Sequence, residues 1–189
     1  MSELTNVNED INLKRESQRR EDYICWEDYF MGIAFLAAQR SKDPVTQVGA
    51  CIVNEDKRIV SIGYNGMPAG VDDFPWGKGS PEQLQHKKLY VCHAEANAIL
   101  CGHGVNYKGC TMYVSQHPCS ECAKLIIQSG IKSVKYVSEK FANKPTSKAA
   151  RKMFNVVGIA FRQYKPEKKQ LLIDFAKGLA ENSQNDSIE

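Results

Sequence analysis

The chain has 189 residues, of which 42% are hydrophobic and 25% charged, and its formal net charge is +3. A chain of this size and composition predicts one domain with a single well-buried core. The charge is moderate and lacks the long Lys/Arg runs of a protein that follows a polynucleotide backbone, but it suits a small anionic ligand such as a nucleotide.

The sequence shows no membrane or export signal. No apolar run approaches the roughly 18 residues that would span a bilayer, and residues 1–21 lack the hydrophobic core of a secretory signal. The seven cysteines are an odd number, and most lie in apolar segments, where free cysteine behaves as a small buried hydrophobe. We therefore expect a soluble protein of a reducing compartment, the cytoplasm or the nucleus.

The two ends differ from the middle of the chain. Residues 1–21 and 181–189 are polar and charged and have no apolar period, so we predict two flexible tails. The predicted domain spans residues 22–180.

The first half of this domain predicts a helix and a hairpin. Apolar residues recur at helical spacing over residues 26–40, and Asp43-Pro44 ends the run. Two β-rich runs, residues 48–53 and 58–64, flank a polar turn and predict a β-hairpin. Residues 69–91 are rich in glycine, proline and charge, which predicts a long loop with a short helical piece.

The second half alternates between strand and helix patterns. The predicted strands are residues 110–115, 133–138 and 158–161, and the predicted helices are residues 94–100, 120–129 and 147–155. An initial hairpin followed by this alternation predicts an α/β fold of three layers, α/β/α, whose five-stranded mixed sheet has helices on both faces. Ligands of such sheets bind at the rim where the loops after successive strands lie.

Two short motifs contain the residue types of a metal site, His93-Ala94-Glu95 and Pro118-Cys119-Ser120-Glu121-Cys122. Cys119 and Cys122 are three residues apart at a predicted helix start, so both sulfurs project to one side, where the helix dipole favours thiolate. With His93 they make three zinc ligands, whereas a structural zinc site uses four and a catalytic site leaves the fourth position to water. Glu95 is then placed to carry protons.

Cys-x-x-Cys alone has other interpretations, namely a redox pair, half of a zinc ribbon, or chance. A zinc ribbon needs a second Cys-x-x-Cys, which this chain lacks, and a redox motif does not explain His93 and Glu95. Cys92 is a conceivable fourth ligand, but an extended backbone would direct its side chain away from that of His93.

His-x-Glu followed by Pro-Cys-x-x-Cys resembles the motif of the zinc-dependent cytidine deaminase superfamily. The likeness to its deoxycytidylate (dCMP) deaminase family covers roughly residues 22–175. It is carried further by residues 41–44, 47–50, 63–68 and 121–127.

This resemblance implies a cytidine deaminase-like fold and the hydrolytic deamination of dCMP to dUMP and ammonia, which supplies dUMP for thymidylate synthesis. Zinc held by His93, Cys119 and Cys122 would lower the pKa of a water. Glu95 would act as base and then as acid at the cytosine ring.

Several residues are candidates for contacts with such a substrate. Asn65 is similar to an asparagine that contacts the sugar, although it would also suit a turn. The backbone of Ala50 and Ala94 is expected to touch the base. Arg40 and Lys42 are candidates for the phosphate, because a monophosphate needs a cation and both lie just before the first strand.

Regulation is also implied. Members of the family are activated by dCTP with Mg²⁺ and inhibited by dTTP, and the resemblance assigns this effector site to Gly63, Tyr64, Asn65 and Gly66 at subunit contacts. A homo-oligomer, typically a hexamer, is expected, with neither membrane nor polynucleotide as partner. Many relatives have tyrosine near the position of Phe141, so a hydroxyl contact to the substrate is unavailable there.

Two other functions fit the metal motif. Deaminases of RNA or DNA bases share it, but the chain lacks an aromatic and basic groove signature and matches the dCMP deaminase family at residues 63–68. A zinc interaction module without catalysis would not need Glu95.

Overall fold

A computed structural model describes residues 19–71 and 73–176. Most of the predicted N-terminal tail, the predicted C-terminal tail and the last residues of the predicted domain lie outside the described residues, so the domain limits remain predictions. Within the described ranges, no helix has both the length and the hydropathy needed to cross a bilayer.

Every predicted helix and strand forms, with shifts at the ends. The helices are α1 (Trp26–Ala38), α2 (Ala94–Cys101), α3 (Ser120–Gln128) and α4 (Pro145–Val157). The strands are β1 (Gly49–Val53), β2 (Ile59–Tyr64), β3 (Thr111–Gln116), β4 (Ser133–Ser138) and β5 (Ala160–Gln163). The short helical piece expected in the long loop is a 3₁₀ helix, Lys87–Leu89.

The clearest difference is at the end of α4. We predicted that the last strand begins at Gly158, but this residue caps α4 in the left-handed conformation, with φ 73°, and β5 begins at Ala160. Glycine adopts this conformation without steric cost and therefore commonly ends helices.

The five strands form one mixed sheet in the order β2-β1-β3-β4-β5. Strand β1 is antiparallel to both β2 and β3, whereas β4 is parallel to β3 and to β5. The carboxyl ends of β3 and β4 therefore lie at the same edge of the sheet, where the chain enters α3 and α4.

Alternation along the strands separates two cores. Ala50 and Ile52 of β1 belong to the larger core, under α2, α3 and α4. Cys51 and Val53 face the other way and join Tyr113 in a smaller core with α1. Because one strand buries both of its faces, helices cover the sheet on two sides, as the sequence predicts.

Strand β1 approaches α1 so closely that its first residue has to be glycine. A Cβ on Gly49 would lie 1.9 Å from the carbonyl oxygen of Ala34 and 2.6 Å from the backbone nitrogen of Ala38. Backbone atoms cannot swing aside as the end of a flexible side chain can, so α1 would have to move.

We expect Gly49→Ala to lower the free energy of unfolding by at least the roughly 1–3 kcal/mol typical of overpacking, measured by denaturant unfolding. Gly77→Ala is the matched control, because its Cβ would meet only the nitrogen of Gly79 at 3.8 Å. Equal stability of the two variants would contradict the close approach of β1 and α1.

Candidate functional site

Two helix N-termini converge at one edge of the sheet. His93 is the N-cap residue of α2, and Cys119 is the N-cap residue of α3. Neither side chain makes a capping hydrogen bond, so both remain available for other contacts. Cys122 follows in the first turn of α3 and is buried.

The three predicted ligands come together. Nδ1 of His93 lies 3.5 Å from Sγ of Cys119 and 3.3 Å from Sγ of Cys122. All three ligand atoms lie within 4.8 Å of one another, a group that Cys92 does not join. Nitrogen and sulfur donors at this spacing fit a tetrahedral zinc ion that keeps one position for a ligand outside the protein.

Hydrogen bonds set the charge of the three groups. Those from Cys122 and His93 stabilise the Cys119 thiolate and lower its pKa to about 3. The same contact to Cys119 raises the pKa of His93 to about 9. Cys122 donates to the Cys119 thiolate, which raises the pKa of the Cys122 thiol. A metal ion binds thiolate and neutral imidazole, so it would displace the protons that these three side chains hold.

Glu95 lies beside this group in the first turn of α2 and is 4% exposed. Burial raises the pKa of Glu95 above its ordinary value, although the nearby His93 acts in the opposite direction. A raised pKa brings the neutral and charged forms of the carboxyl group closer in free energy near neutral pH. Such a group is suited both to accept and to donate a proton.

These residues open into a cavity of about 830 Å³, within the range of small-molecule sites. His93, Ala94, Glu95 and Cys119 all line it. The cavity can therefore bring a small molecule to the metal group and the carboxyl group together.

A buried ion pair forms part of the cavity wall. Nζ of Lys87 lies 2.5 and 2.6 Å from the two carboxylate oxygens of Asp43. Burial raises the pKa of Asp43, but the hydrogen bonds from Lys87 and from the Val45 and Thr46 N–H groups outweigh it and hold the pKa below its ordinary value. The pair fastens the segment that leads to His93 onto the loop before β1.

Asn65, the predicted sugar contact, lines the cavity but also organises this loop. Its Oδ1 accepts a hydrogen bond from the N–H of Val48 at 2.8 Å, and its Nδ2 donates to the carbonyl of Thr46 at 3.0 Å. These hydrogen bonds account for Asn65 as a residue that organises the turn, and its contact with the sugar stays a prediction.

The other predicted substrate residues differ in whether they line the cavity. Ala94 lines the cavity. Ala50, Arg40 and Lys42 do not: Ala50 is fully buried in the larger core, and the two cations lie on the exposed turn after α1. Proximity along the chain to the first strand did not bring these cations into the cavity lining, which the chain joins only from Asp43 onward.

The predicted effector residues lie at the end of the edge strand β2. A Cβ on Gly63 would lie 2.3 Å from the nitrogen of Ala98, so packing on α2 alone accounts for this glycine. Tyr64 is half-exposed, and the backbone of Gly66 pairs with that of Cys92. An effector site here remains a prediction.

Sequence reasoning missed several cavity residues. His117 is 3% exposed, donates from Nδ1 to the Pro118 carbonyl at 2.8 Å and faces Arg151 with Nε2 at 3.4 Å. Four further lysines line the cavity, Lys78, Lys88, Lys140 and Lys144. The parallel pairing of β3 and β4 could have pointed to Lys140 and Lys144, because these lysines follow β4 as Cys119 follows β3.

A second group of metal-binding residue types, Cys25, Asp28 and Glu167, has a structural explanation. The Asp28 carboxylate accepts hydrogen bonds from the Tyr164 hydroxyl at 2.7 Å and from the Glu167 and Lys168 N–H groups. These donors satisfy the buried carboxylate and fasten the segment after β5 to α1.

The chain was compared with known proteins. Residues 24–138 match the family described as the cytidine and deoxycytidylate deaminase zinc-binding region. The chain is 52% identical to deoxycytidylate deaminase of Homo sapiens over 160 residues, which cover 84% of this chain and 90% of that protein. It is 53% identical to the probable deoxycytidylate deaminase of Drosophila melanogaster over 167 residues, 85% of this chain and 82% of that protein.

Solved structures agree on the fold. The dCMP deaminase of cyanophage S-TIM5, crystallised with dCMP and dUMP, superposes with a TM-score of 0.60 at 22% identity, over 78% of this chain and all of that one. Fold and site together are those of a zinc-binding enzyme that deaminates by hydrolysis. The chain belongs to the cytidine and deoxycytidylate deaminase family.

We expect Cys122→Ala to lose bound zinc, because two ligands cannot hold the ion as three do. The measurement is zinc per chain by elemental analysis after dialysis against a weak chelator. Cys51→Ala is the control, since Cys51 is equally buried but lies in the smaller core. Full zinc content in Cys122→Ala would remove this residue from the site.

We expect Asp43→Asn to lower the free energy of unfolding by about 3–5 kcal/mol, because it leaves the Lys87 charge buried without its partner. The double variant Asp43→Asn/Lys87→Met should regain part of this loss. Since folding lowers the pKa of Asp43, its contribution is present above about pH 4 and is lost as pH falls through the folded-state value. Denaturant unfolding of the three proteins between pH 3 and 7 tests both statements, and a single variant as stable as the parent would contradict them.

Proposed function

We propose that this protein deaminates dCMP hydrolytically to dUMP and ammonia. The buried carboxyl group of Glu95 beside a three-ligand metal group in an open cavity is the observation that carries the reaction type. The choice of dCMP is supported by the curated relatives at about half identity, which are named deoxycytidylate deaminases.

The residues fit zinc, since one imidazole nitrogen and two sulfurs lie within 4.8 Å of one another. Zinc bound by His93, Cys119 and Cys122 would supply a polarised water of lowered pKa. Glu95 accepts a proton from the water whose oxygen attacks carbon 4 of the cytosine ring. It passes this proton to ring nitrogen 3, then takes the second proton from the hydroxyl formed on carbon 4 and gives it to the amino group, so that the carbon–nitrogen bond breaks and ammonia leaves.

The environment of Glu95 supports both halves of this cycle. Burial disfavours its charge, which makes the carboxylate a stronger base, while His93 stabilises that charge and limits the effect. One carboxyl group with a pKa raised by its surroundings can therefore take up and release a proton within one turnover.

We propose the remaining properties from the resemblance alone. These are dUMP supply for thymidylate synthesis, activation by dCTP with Mg²⁺, inhibition by dTTP, a homohexamer and a cytoplasmic location. The exposed Ile62 and Tyr64 on the edge strand β2 are compatible with a subunit contact near the predicted effector residues. A titration of dCMP turnover with dCTP and dTTP, together with the mass in solution, tests regulation and assembly.

We expect Glu95→Gln to keep its fold and zinc but to lose dCMP deamination by about 100-fold to 10,000-fold, because glutamine is similar in shape and cannot carry a proton. The readout is the ultraviolet change as cytosine becomes uracil. Glu55→Gln is the control, because Glu55 lies on the β1–β2 turn and pairs with Lys132 outside the cavity.

The same assay with dCMP, CMP, deoxycytidine and single-stranded oligonucleotide defines the substrate. Undiminished turnover by Glu95→Gln would refute the assigned proton carrier. Turnover of the oligonucleotide alone would show a polynucleotide deaminase, and no turnover by the zinc-loaded parent would leave a zinc module without catalysis.

A further inference from the structure

Phe141 lies in the cavity wall between two lysines. The ammonium of Lys144 lies 4.0 Å from the centroid of its ring, and that of Lys140 lies 5.4 Å from it. Both lysines line the same cavity as His93 and Glu95. Two cations are thus gathered at one aromatic ring within reach of a molecule in this cavity.

The turn after β4 fixes this arrangement. The N–H of Lys144 donates to the carbonyl of Phe141 at 3.0 Å, which closes the turn that precedes α4. Attraction between an ammonium and the face of an aromatic ring contributes about 0.5–1 kcal/mol at exposed sites, enough to favour one side-chain position. The ring therefore orients the lysines although it has no hydroxyl of its own.

Neither ammonium has a carboxylate partner within 4.0 Å among the residues that the structure describes. Glu139, the acidic residue next to Lys140, accepts a hydrogen bond from Tyr136 at 2.9 Å and lies 3.8 Å from Arg151. Apart from Glu95, the acids of the cavity wall have partners of their own, because the buried Asp43 pairs with Lys87 and the exposed Glu121 with Lys124. Lys140 and Lys144 thus lack a carboxylate to balance their charge, and an anionic ligand could supply that negative charge.

We propose that Lys140 and Lys144, held by Phe141, bind the phosphate of the nucleotide substrate. This inference rests on the proposed deamination of dCMP and names the group that selects a nucleotide over a nucleoside. A phosphate monoester carries up to two negative charges and several acceptor oxygens, so two ammonium groups can neutralise it.

The proposal also replaces Arg40 and Lys42 as phosphate residues. Those two lie outside the cavity lining, whereas Lys140 and Lys144 share it with the metal group. Because β3 and β4 are parallel neighbours, the turn after β4 lies at the same edge of the sheet as Cys119. A substrate with its base at the metal group can therefore have its phosphate at this turn.

The test is steady-state kinetics of the zinc-loaded Lys144→Met and Lys140→Met variants with dCMP. Loss of one charge-assisted contact to phosphate should raise KM by about 10-fold to 100-fold, with kcat little changed. Lys148→Met is the matched control, because Lys148 is exposed one turn further along α4 and does not line the cavity. Inorganic phosphate should inhibit the parent competitively, with a Ki that rises in Lys144→Met and stays constant in Lys148→Met.

The outcomes are separable. Parental KM and phosphate inhibition in both cavity variants would overturn the proposal, as would a fall in kcat with unchanged KM. The same loss in Lys148→Met would also overturn it, because the effect would then come from overall charge. Absence of dCMP turnover in the zinc-loaded parent would instead refute the proposed function, and the Ki of phosphate, measured then as displacement of dUMP, would still test the lysines.

Discussion

The structure depends on the convergence of two helix N-termini at one edge of the sheet. His93 begins α2 and Cys119 begins α3, and the contacts of the His93 imidazole with two sulfurs join the helices where their dipoles favour negative charge. Hydrogen bonds from Cys122 and His93 stabilise the thiolate of Cys119 even without a metal ion. The imidazole and the two sulfurs therefore both hold the two helices together and form the metal group.

A second constraint acts on the loop opposite this junction. The buried pair of Lys87 and Asp43 fastens the long segment before α2, and Asn65 fixes the loop that carries Asp43. Buried ion pairs add little net stability over apolar packing, but they define geometry because losing one partner is costly. This part of the cavity wall is thus built from polar groups that are paired with each other, and the proposed phosphate site lies elsewhere in the cavity, at the lysines beside Phe141.

The division of tasks within the cavity follows the sheet. The turn after β3 brings the two cysteines of the metal group, the start of α2 brings His93, and the turn after β4 brings the aromatic ring with its two cations. The proposed proton carrier, Glu95, is enclosed in the first turn of α2. The proposed phosphate contact lies in a turn, where a substitution can change the chemistry of the contact without disturbing the core.

The sequence by itself determined the order of helices and strands and the metal group, because hydrophobic period and the spacing of Cys119 and Cys122 are local properties. It did not determine which cations reach the cavity. Arg40 and Lys42 are near the first strand in sequence, yet Lys140 and Lys144 are brought in by the parallel pairing of β3 and β4. Nor could it show that Lys87 pairs with Asp43, since these partners are 44 residues apart and meet only when the sheet, α2 and the intervening loop have packed.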